Sequence, residues 1–231
     1  MESKFVSIII PAFNEEDYIE KTIHSAMKLP YLKEVIVVDD GSRDHTKKIL
    51  SLLKPLYKEL RVFSLNHNQG KGQALMYGVK QANGEILVFL DADLGESISY
   101  ATKLIDPVLQ QNADMTIAIF PMSKKKGGFG IVKKLAQQGI YLATGFKTKA
   151  PLSGQRAMKR EVLTNIHGLD KGFGIEVGLT IDVLKRGFHI QEIKIPFSHR
   201  ETGRDLQGFI HRGREFIDVF KTLIKKWRMS E

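Results

Sequence analysis

Short apolar runs rich in β-branched residues alternate with amphipathic segments along the first half of the chain. This alternation is typical of parallel strands that are linked by helices. The predicted strands are 5–10, 34–38, 62–65, 86–90 and 115–119, and the predicted helices are 16–27, 46–57, 71–82 and 98–109. The pattern therefore predicts an α/β fold in which a mostly parallel central sheet is flanked by helices.

The second half of the chain is less regular. Its predicted elements are a loop at 121–130, helices at 131–144, 175–185 and about 206–227, a turn or short strand at 151–157 and a strand at 190–195. The last helix carries an aromatic stripe that we interpret, together with Trp227, as core or interface: Phe209, Phe216, Phe220 and Leu223. The length of 231 residues and the lack of a linker favour a single domain.

The net charge of +9 comes from one segment. Residues 115–160 contain no Asp or Glu, and they carry ten basic residues, so the rest of the chain is close to neutral: Lys124, Lys125, Lys126, Lys133, Lys134, Lys147, Lys149, Arg156, Lys159 and Arg160. Such a stripe is often only a solvated face. Beside an active site, however, it favours an anionic partner.

No stretch approaches the roughly 20 apolar residues of a membrane-spanning helix, and the N-terminus lacks a signal-peptide pattern. We therefore expect a cytoplasmic protein that is at most peripheral at the inner membrane face. The chain has no cysteine, which excludes disulfides and thiolate sites and leaves oxygen or imidazole as metal ligands.

Polar clusters follow four of the predicted strands, at residues 11–16, 39–42, 66–72 and 91–93. Ligands of open α/β sheets bind outside the carboxyl ends of the strands, so these clusters are expected to share one crevice. Of Asp91 and Asp93, one carboxylate could hold a divalent cation and the other a bound water or a ribose hydroxyl, although an isolated Asp-x-Asp is more often a turn or a helix cap. Asp40 could accept the imino hydrogen of uracil, and Lys71 could meet a diphosphate.

Taken together, residues 6–16, 35–42, 70–74 and 91–93 resemble the family 2 glycosyltransferases and their relatives with a GT-A fold. The resemblance implies a nucleotide-sugar-binding half at 1–120, and an acceptor-side half with a C-terminal helix at 121–231. It also implies a Mg²⁺ or Mn²⁺ cofactor, with Asp93 at the catalytic centre. The residues expected on the donor side are Pro11, Ala12, Phe13, Glu15, Asp40, Lys71, Asp91, Arg200 and Arg204.

Residues 151–154, 172–179 and 199–200 resemble motifs of glucosyl-3-phosphoglycerate synthases. This resemblance implies that His199 is a metal ligand beside Asp93. It also implies acceptor-side roles near Gly154 and Glu176, so the expected acceptor-binding residues are Ser153, Gly154 and Gln155. The chain departs from that family in Gln155-Arg156, in Asp40 and in its shorter length.

Four side chains have further candidate roles, and for three of them an alternative remains open. Arg156 is expected to pair with an acceptor phosphate or carboxylate. Glu176 is a candidate general base if the reaction inverts the anomeric centre, and it would position hydroxyl groups if the reaction retains it. An acidic residue in a first helical turn can also simply stabilise the helix dipole. Arg200 and Arg204 could clamp phosphate oxygens, or they could form surface ion pairs.

The sequence thus predicts a metal-dependent enzyme that transfers a glucose-like hexose from a UDP-sugar to an anionic acceptor, such as a phosphoglycerate-like small acid. An alternative is transfer to a polyprenyl phosphate at the membrane surface, with the Lys-rich loop and helix 131–144 against anionic lipid. A basic nucleic-acid-binding module agrees less well with the carboxylate-rich strand ends. A sugar nucleotidyltransferase would carry a Gly-rich, Arg-containing loop after the first strand, where this chain has residues 11–16. A homodimer is compatible with the sequence.

Overall fold

The computed structural model describes residues 5–121, 130–164, 166, 174–198 and 216–226. Its strands are β1 (Val6–Ala12), β2 (Leu32–Asp39), β3 (Leu60–Ser64), β4 (Ile86–Phe89), β5 (Met115–Ile119), β6 (Arg156–Lys159) and β7 (Ile190–Lys194). Its helices are α1 (Ile19–Ala26), α2 (Thr46–Leu53), α3 (Lys71–Gln81), α4 (Thr102–Leu109), α5 (Gly130–Thr144), α6 (Arg160–Thr164), α7 (Ile175–Lys185) and α8 (216–226). None of these described helices is long and apolar enough to cross a membrane.

The seven strands form one sheet in the order β3-β2-β1-β4-β6-β5-β7. All neighbouring pairs are parallel except those of β6, which runs antiparallel to both β4 and β5. The predicted α/β class with a mostly parallel sheet is therefore confirmed. The reversed direction of β6 was not predicted, because a four-residue strand contains too little pattern to reveal its partners.

The sheet is covered on both faces, which explains why its central strands are apolar throughout. Successive side chains of a strand point to opposite faces. Ile8 and Ile10 accordingly pack with α1, α2 and α4, whereas Ile9 packs with α3 and α7. A third cluster joins α5, α7 and α8, so α7 lies between the sheet and an outer pair of helices.

Several predicted boundaries differ from those observed. Strand β1 continues to Ala12, so Pro11 and Ala12 belong to the strand and not to the loop after it. The helices predicted at 46–57 and 98–109 each contain a 3₁₀ segment, at Lys54–Leu56 and Gly95–Ala101. Helix α6 was not predicted.

The aromatic stripe of the last helix is also not its buried face. Phe216 and Phe220 are 38% and 47% exposed, whereas Val219 and Leu223 are buried against α5 and α7. The helical spacing that brings 219, 222, 223 and 226 to the core turns the two rings outward. Of the predicted stripe, only Leu223 faces the core, while Phe209 and Trp227 lie outside the described residues.

A buried carboxylate, that of Glu34, connects residues near the amino ends of β1 and β2 with their neighbours. Glu34 accepts hydrogen bonds from the Ser7 hydroxyl at 2.7 Å, the Asn83 backbone N–H at 2.6 Å and Arg61 at 2.6 Å. Burial alone raises the pKa of Glu34, but these hydrogen bonds outweigh it, so the pKa is lowered from its ordinary value of 4.5. Its stabilising contribution is complete above pH 4.5 and is lost as the pH falls through the lowered value.

We expect Glu34→Gln to lower the free energy of unfolding at pH 7 by about 2 kcal/mol, because an amide cannot satisfy all three donors. The difference between variant and wild type should shrink as the pH falls from 4.5 through the lowered pKa, where the wild-type carboxylate becomes protonated. Urea unfolding across this pH range measures both effects. Glu20→Gln, at an exposed ion pair with His24, is the control, and an equal loss in both variants would contradict the assignment.

Candidate functional site

A cavity of about 340 Å³ opens at the carboxyl ends of β1, β2 and β4. Its lining contains every donor-side residue predicted within the described part of the chain, together with Ala92 and Asp93 of the same strand-end motif and with Asn68, which was not predicted. The lining residues are Pro11, Ala12, Phe13, Glu15, Asp40, Asn68, Lys71, Asp91, Ala92 and Asp93. Asn68 belongs to the polar cluster at 66–72, so its neighbourhood could be predicted but not its orientation.

Asp40 holds the loop that leads into α3. Its two carboxylate oxygens accept the backbone N–H groups of Gln69 and Gly70, each at 2.8 Å. Gly70 has a φ of 91°, a left-handed conformation that glycine adopts without strain, and Lys71 follows it as the first residue of α3. Asp40 therefore determines where Lys71 enters the cavity, in addition to any contact of its own with a ligand.

Lys71 joins the two halves of the crevice. Its Nζ lies 2.8 Å from Asp91 Oδ1 and 3.7 Å from Glu176 Oε1. Burial alone would lower the pKa of Lys71, but the Asp91 and Glu176 carboxylates outweigh it and raise the pKa above its ordinary value. The ammonium group is thus charged throughout the physiological range, and it offsets the negative charge of the carboxylates around it.

Gln155 lies against Asp91 and not on an acceptor surface, so its predicted role was wrong. Its amide nitrogen donates to Asp91 Oδ2 at 2.5 Å, and its amide oxygen accepts the Asp91 backbone N–H at 3.0 Å. The antiparallel register, which pairs Arg156 with Phe89, brings Gln155 to this place. The side chain is 2% exposed, and both of its polar atoms are used to orient the Asp91 carboxylate.

The predicted pairing of Arg156 with an acceptor is also corrected, because Arg156 is only 1% exposed and lies behind the crevice. It donates to the Ser153 carbonyl at 2.9 Å, the Thr180 hydroxyl at 3.0 Å and the Glu176 carbonyl at 2.9 Å. Burial lowers its pKa to about 10, against the attraction of Glu176 and Glu192, so it remains charged at neutral pH. It fixes the turn at 153 to the first turn of α7 and presents no group to a ligand.

The turn at 153–154 brings Lys71 and Glu176 together. A Cβ atom on Gly154 would collide with the Lys71 ammonium group and lie 3.4 Å from Glu176 Oε1, so only glycine leaves this space open. Glu192 also contributes to this region, although its role was not predicted from the sequence. Its carboxylate accepts the Thr148 hydroxyl at 2.5 Å and the backbone N–H groups of Lys149 and Ala150, which anchors the segment that precedes the turn.

Asp91 and Asp93 are the two carboxylates at the end of β4 that could face a metal ion. No group of three or more His, Cys, Asp or Glu side chains with metal-site geometry occurs within the described ranges. Two carboxylates suffice for Mg²⁺ that also binds phosphate oxygens and water, so the donor set fits a hard divalent cation. His199, Arg200 and Arg204 lie outside the described residues. The last residue before them, Ser198, exchanges backbone hydrogen bonds with the Ser97 hydroxyl, four positions after Asp93.

The family model described as Glycosyl transferase family 2 matches residues 7–168. The chain belongs to glycosyl transferase family 2. Membership confirms the expected family and the expected glycosyltransferase class of enzyme. The GT-A-type fold is confirmed as well, because the solved structures described below superpose on nearly the whole chain.

Three curated relatives show how this family 2 member compares along its length. An uncharacterized protein of Methanocaldococcus jannaschii is 32% identical over 95% of this chain and 90% of its own length. Glucosyl-3-phosphoglycerate synthase of Mycobacterium tuberculosis is 31% identical over 78% of this chain. Dolichol-phosphate mannosyltransferase of Pyrococcus furiosus is 29% identical over 84%. The matches span only 61% and 56% of the latter two proteins.

Two solved structures of the mycobacterial synthase cover 96% of this glycosyltransferase chain and 79% of their own. One contains Mn²⁺, UDP-glucose and phosphoglyceric acid, with a TM-score of 0.79 at 27% identity. The other contains Mg²⁺ and UDP, with a TM-score of 0.78 at 26% identity. These are ligands of the relative, and they agree with the kind of cation expected from the sequence.

We expect Gly154→Ala to reduce turnover about 10- to 100-fold, because the new methyl group displaces the Lys71 ammonium from its charged partners. The fold should change little, since the displaced atom is the end of a flexible side chain. Initial rates and urea unfolding measure the two effects separately. Gly130→Ala, whose Cβ would have no heavy atom of the described residues within 4 Å, is the control. Wild-type turnover in Gly154→Ala would contradict the role of this turn.

Proposed function

We propose that this glycosyltransferase transfers a glucose-like hexose from a UDP-sugar to an anionic acceptor of the phosphoglycerate type. The observation that carries the proposal is the convergence of Asp40, Lys71, Asp91 and Asp93 on one cavity. The bound UDP-glucose and phosphoglyceric acid of a structural neighbour that covers 96% of the chain support both substrates.

Asp91 and Asp93 are proposed to hold Mg²⁺ or Mn²⁺ together with the donor diphosphate, and His199 is the further ligand implied by the family resemblance. A bound divalent cation supplies charge stabilisation to the departing nucleotide diphosphate. Gln155 supports this site, because its hydrogen bonds with Asp91 orient one of the two carboxylates. The attachment of Ser198 to Ser97 agrees with a chain path that passes close to Asp93.

Lys71 is proposed to turn from Asp91 and Glu176 toward the diphosphate when the donor binds. Its raised pKa keeps the ammonium group charged, so it can stabilise the negative charge that develops on the leaving group. Phe13, Pro11 and Asp40 would then surround the uracil. In such a site Asp40 has two functions, because it accepts from the base and also orders the loop before Lys71.

Ser153, Gly154 and Glu176 are proposed to form the acceptor side. The Glu176 side chain is 12% exposed, and its carboxylate faces Lys71 across the crevice. From there it can orient an acceptor hydroxyl, and it would also take the proton in an inverting reaction. Lys147 and Lys149, which precede this turn, attract an anionic acceptor over a longer range.

A polyprenyl phosphate is the second candidate acceptor. The similarity to a dolichol-phosphate mannosyltransferase and the exposed apolar side chains of α5 favour it. Both acceptors share a phosphate group, so the acid-free segment of the sequence does not distinguish them.

Removal of the divalent cation by EDTA is expected to weaken UDP binding at least about tenfold in calorimetry, since the diphosphate would then face two uncompensated carboxylates. Asp93→Asn should lower turnover about 100-fold or more and leave the unfolding free energy close to wild type. Asp106→Asn, on α4 outside the crevice, is the control. Unchanged UDP binding in EDTA would refute the metal assignment.

The wild-type protein is expected to bind UDP at least about tenfold more tightly than CDP or ADP, because a carboxylate accepts from uracil N3 but meets an acceptor atom on the other two bases. Transfer from a UDP-hexose to 3-phosphoglycerate, and to a short polyprenyl phosphate in parallel, then identifies the acceptor. Equal binding of all three nucleotides would overturn the donor assignment, and transfer only to neutral acceptors would overturn the acceptor assignment.

A further inference from the structure

The outer layer formed by α5 and α8 concentrates exposed apolar side chains. Six of the eleven large apolar side chains that are exposed in the described residues lie on these two helices: Ile131, Tyr141, Leu142, Phe216, Ile217 and Phe220. Their exposed fractions run from 38% to 73%, although both helices also bury a full apolar face. Clusters of this kind mark interaction surfaces more often than isolated exposed residues do.

The two helices share one outer side. Each buries its inner face in the same cluster with α7, and they touch where Leu223 of α8 packs against Gly139 of α5. Because α7 separates them from the sheet, both helices form an outer layer of the described structure. On α8, Phe216 and Phe220 are exposed, and their rings lie parallel within 6° at a centroid distance of 6.3 Å.

Lysines accompany the apolar side chains on this surface. Lys133 and Lys134 are exposed on α5, and Lys221 and Lys225 are exposed on α8. Lys147 lies just beyond α5, with its ammonium group 5.8 Å from the centre of the Tyr141 ring. Helix α5 contains no acidic residue, and α8 contains only Asp218. The surface therefore combines apolar side chains with charges that are almost all positive.

We propose that the outer side of α5 and α8 docks on an anionic lipid bilayer. Apolar and aromatic side chains flanked by lysines are the combination by which amphipathic helices lie in the headgroup region of a membrane. Each lysine near an anionic leaflet strengthens binding, and the apolar groups leave water. The inference deepens the second candidate of the proposed function, a polyprenyl phosphate acceptor, but its test requires neither the sugar nor the acceptor.

Charge selects the bilayer over a second copy of the chain as the occupant. In a two-fold symmetric dimer the same surface of both copies meets itself. The lysines of α5 and α8 would then approach their own counterparts, and Asp218 is the only acidic residue of the two helices that could compensate. An anionic membrane instead complements every one of these charges.

Sedimentation of the full chain with vesicles tests the proposal, without nucleotide or acceptor, so that its outcome is independent of catalysis. We expect binding to phosphatidylcholine vesicles that contain phosphatidylglycerol, weakening with added salt, and little binding to pure phosphatidylcholine. Replacing Phe216 and Phe220 together by serine should weaken binding at least about tenfold. Replacing Lys133 and Lys134 by glutamine should weaken it about 30-fold.

The chain offers matched controls on α2 and the 3₁₀ segment after it. Leu52 and Leu56 are 63% and 65% exposed, and their replacement by serine should leave vesicle binding unchanged. The same is expected for Lys47→Gln with Lys48→Gln, which are exposed on α2. Circular dichroism and UDP calorimetry verify that each variant is folded and retains its donor site.

Three results would overturn the proposal. The first is no binding of the wild-type chain to phosphatidylglycerol vesicles. The second is equal weakening by the α2 controls. The third is a dimer, detected by ultracentrifugation, that does not bind lipid and that dissociates when Phe216 and Phe220 are replaced. Such a dimer would show that a second copy of the chain occupies this surface. If the wild-type chain binds these vesicles but transfers no sugar, the result contradicts only the proposed function.

Discussion

The ion pair of Lys71 with Asp91 and Glu176 is the interaction on which the crevice depends. Asp91 follows β4 in the first half of the chain, and Glu176 lies in the first turn of α7 in the second half, so one ammonium group joins carboxylates that are far apart in sequence. Without this positive charge the two carboxylates, and Asp93 beside them, would repel each other across a cavity only partly open to solvent. The order of the loop before α3, the room at Gly154 and the orientation of Asp91 all serve this arrangement.

Strand β6 is the structural reason why the two halves meet there. It runs antiparallel between β4 and β5, and it therefore carries Gln155 to Asp91 and Arg156 behind the crevice. The buried Arg156 then fixes the turn at 153 to the start of α7. A buried guanidinium is costly unless its donors are satisfied, and its three hydrogen bonds offset that cost locally. The turn at 153 and the start of α7 are thus held together on one side of the crevice, opposite Lys71.

The outer helices differ from the crevice in what their exposed side chains contribute. Helices α5 and α8 bury one face completely, yet they leave aromatic and aliphatic side chains exposed beside lysines. Such a surface contributes little to folding, since it stays in water, and its composition is explained by what it contacts outside the chain. The exposed side chains of this surface and the crevice lie on different elements, although Thr222 of α8 packs against Gly174 at the start of α7, two positions before Glu176.

The sequence by itself determined the fold class, because apolar periodicity is a local pattern, and the resemblance of its motifs indicated the family. It also predicted most of the residues that line the cavity, apart from Asn68. It could not determine what Gln155 and Arg156 do, since their partners depend on the direction of a four-residue strand. It also could not show that Phe216 and Phe220 face outward, because an apolar stripe identifies a helix face but not its neighbour. Long-range register and helix packing, which only the tertiary structure contains, decided these points.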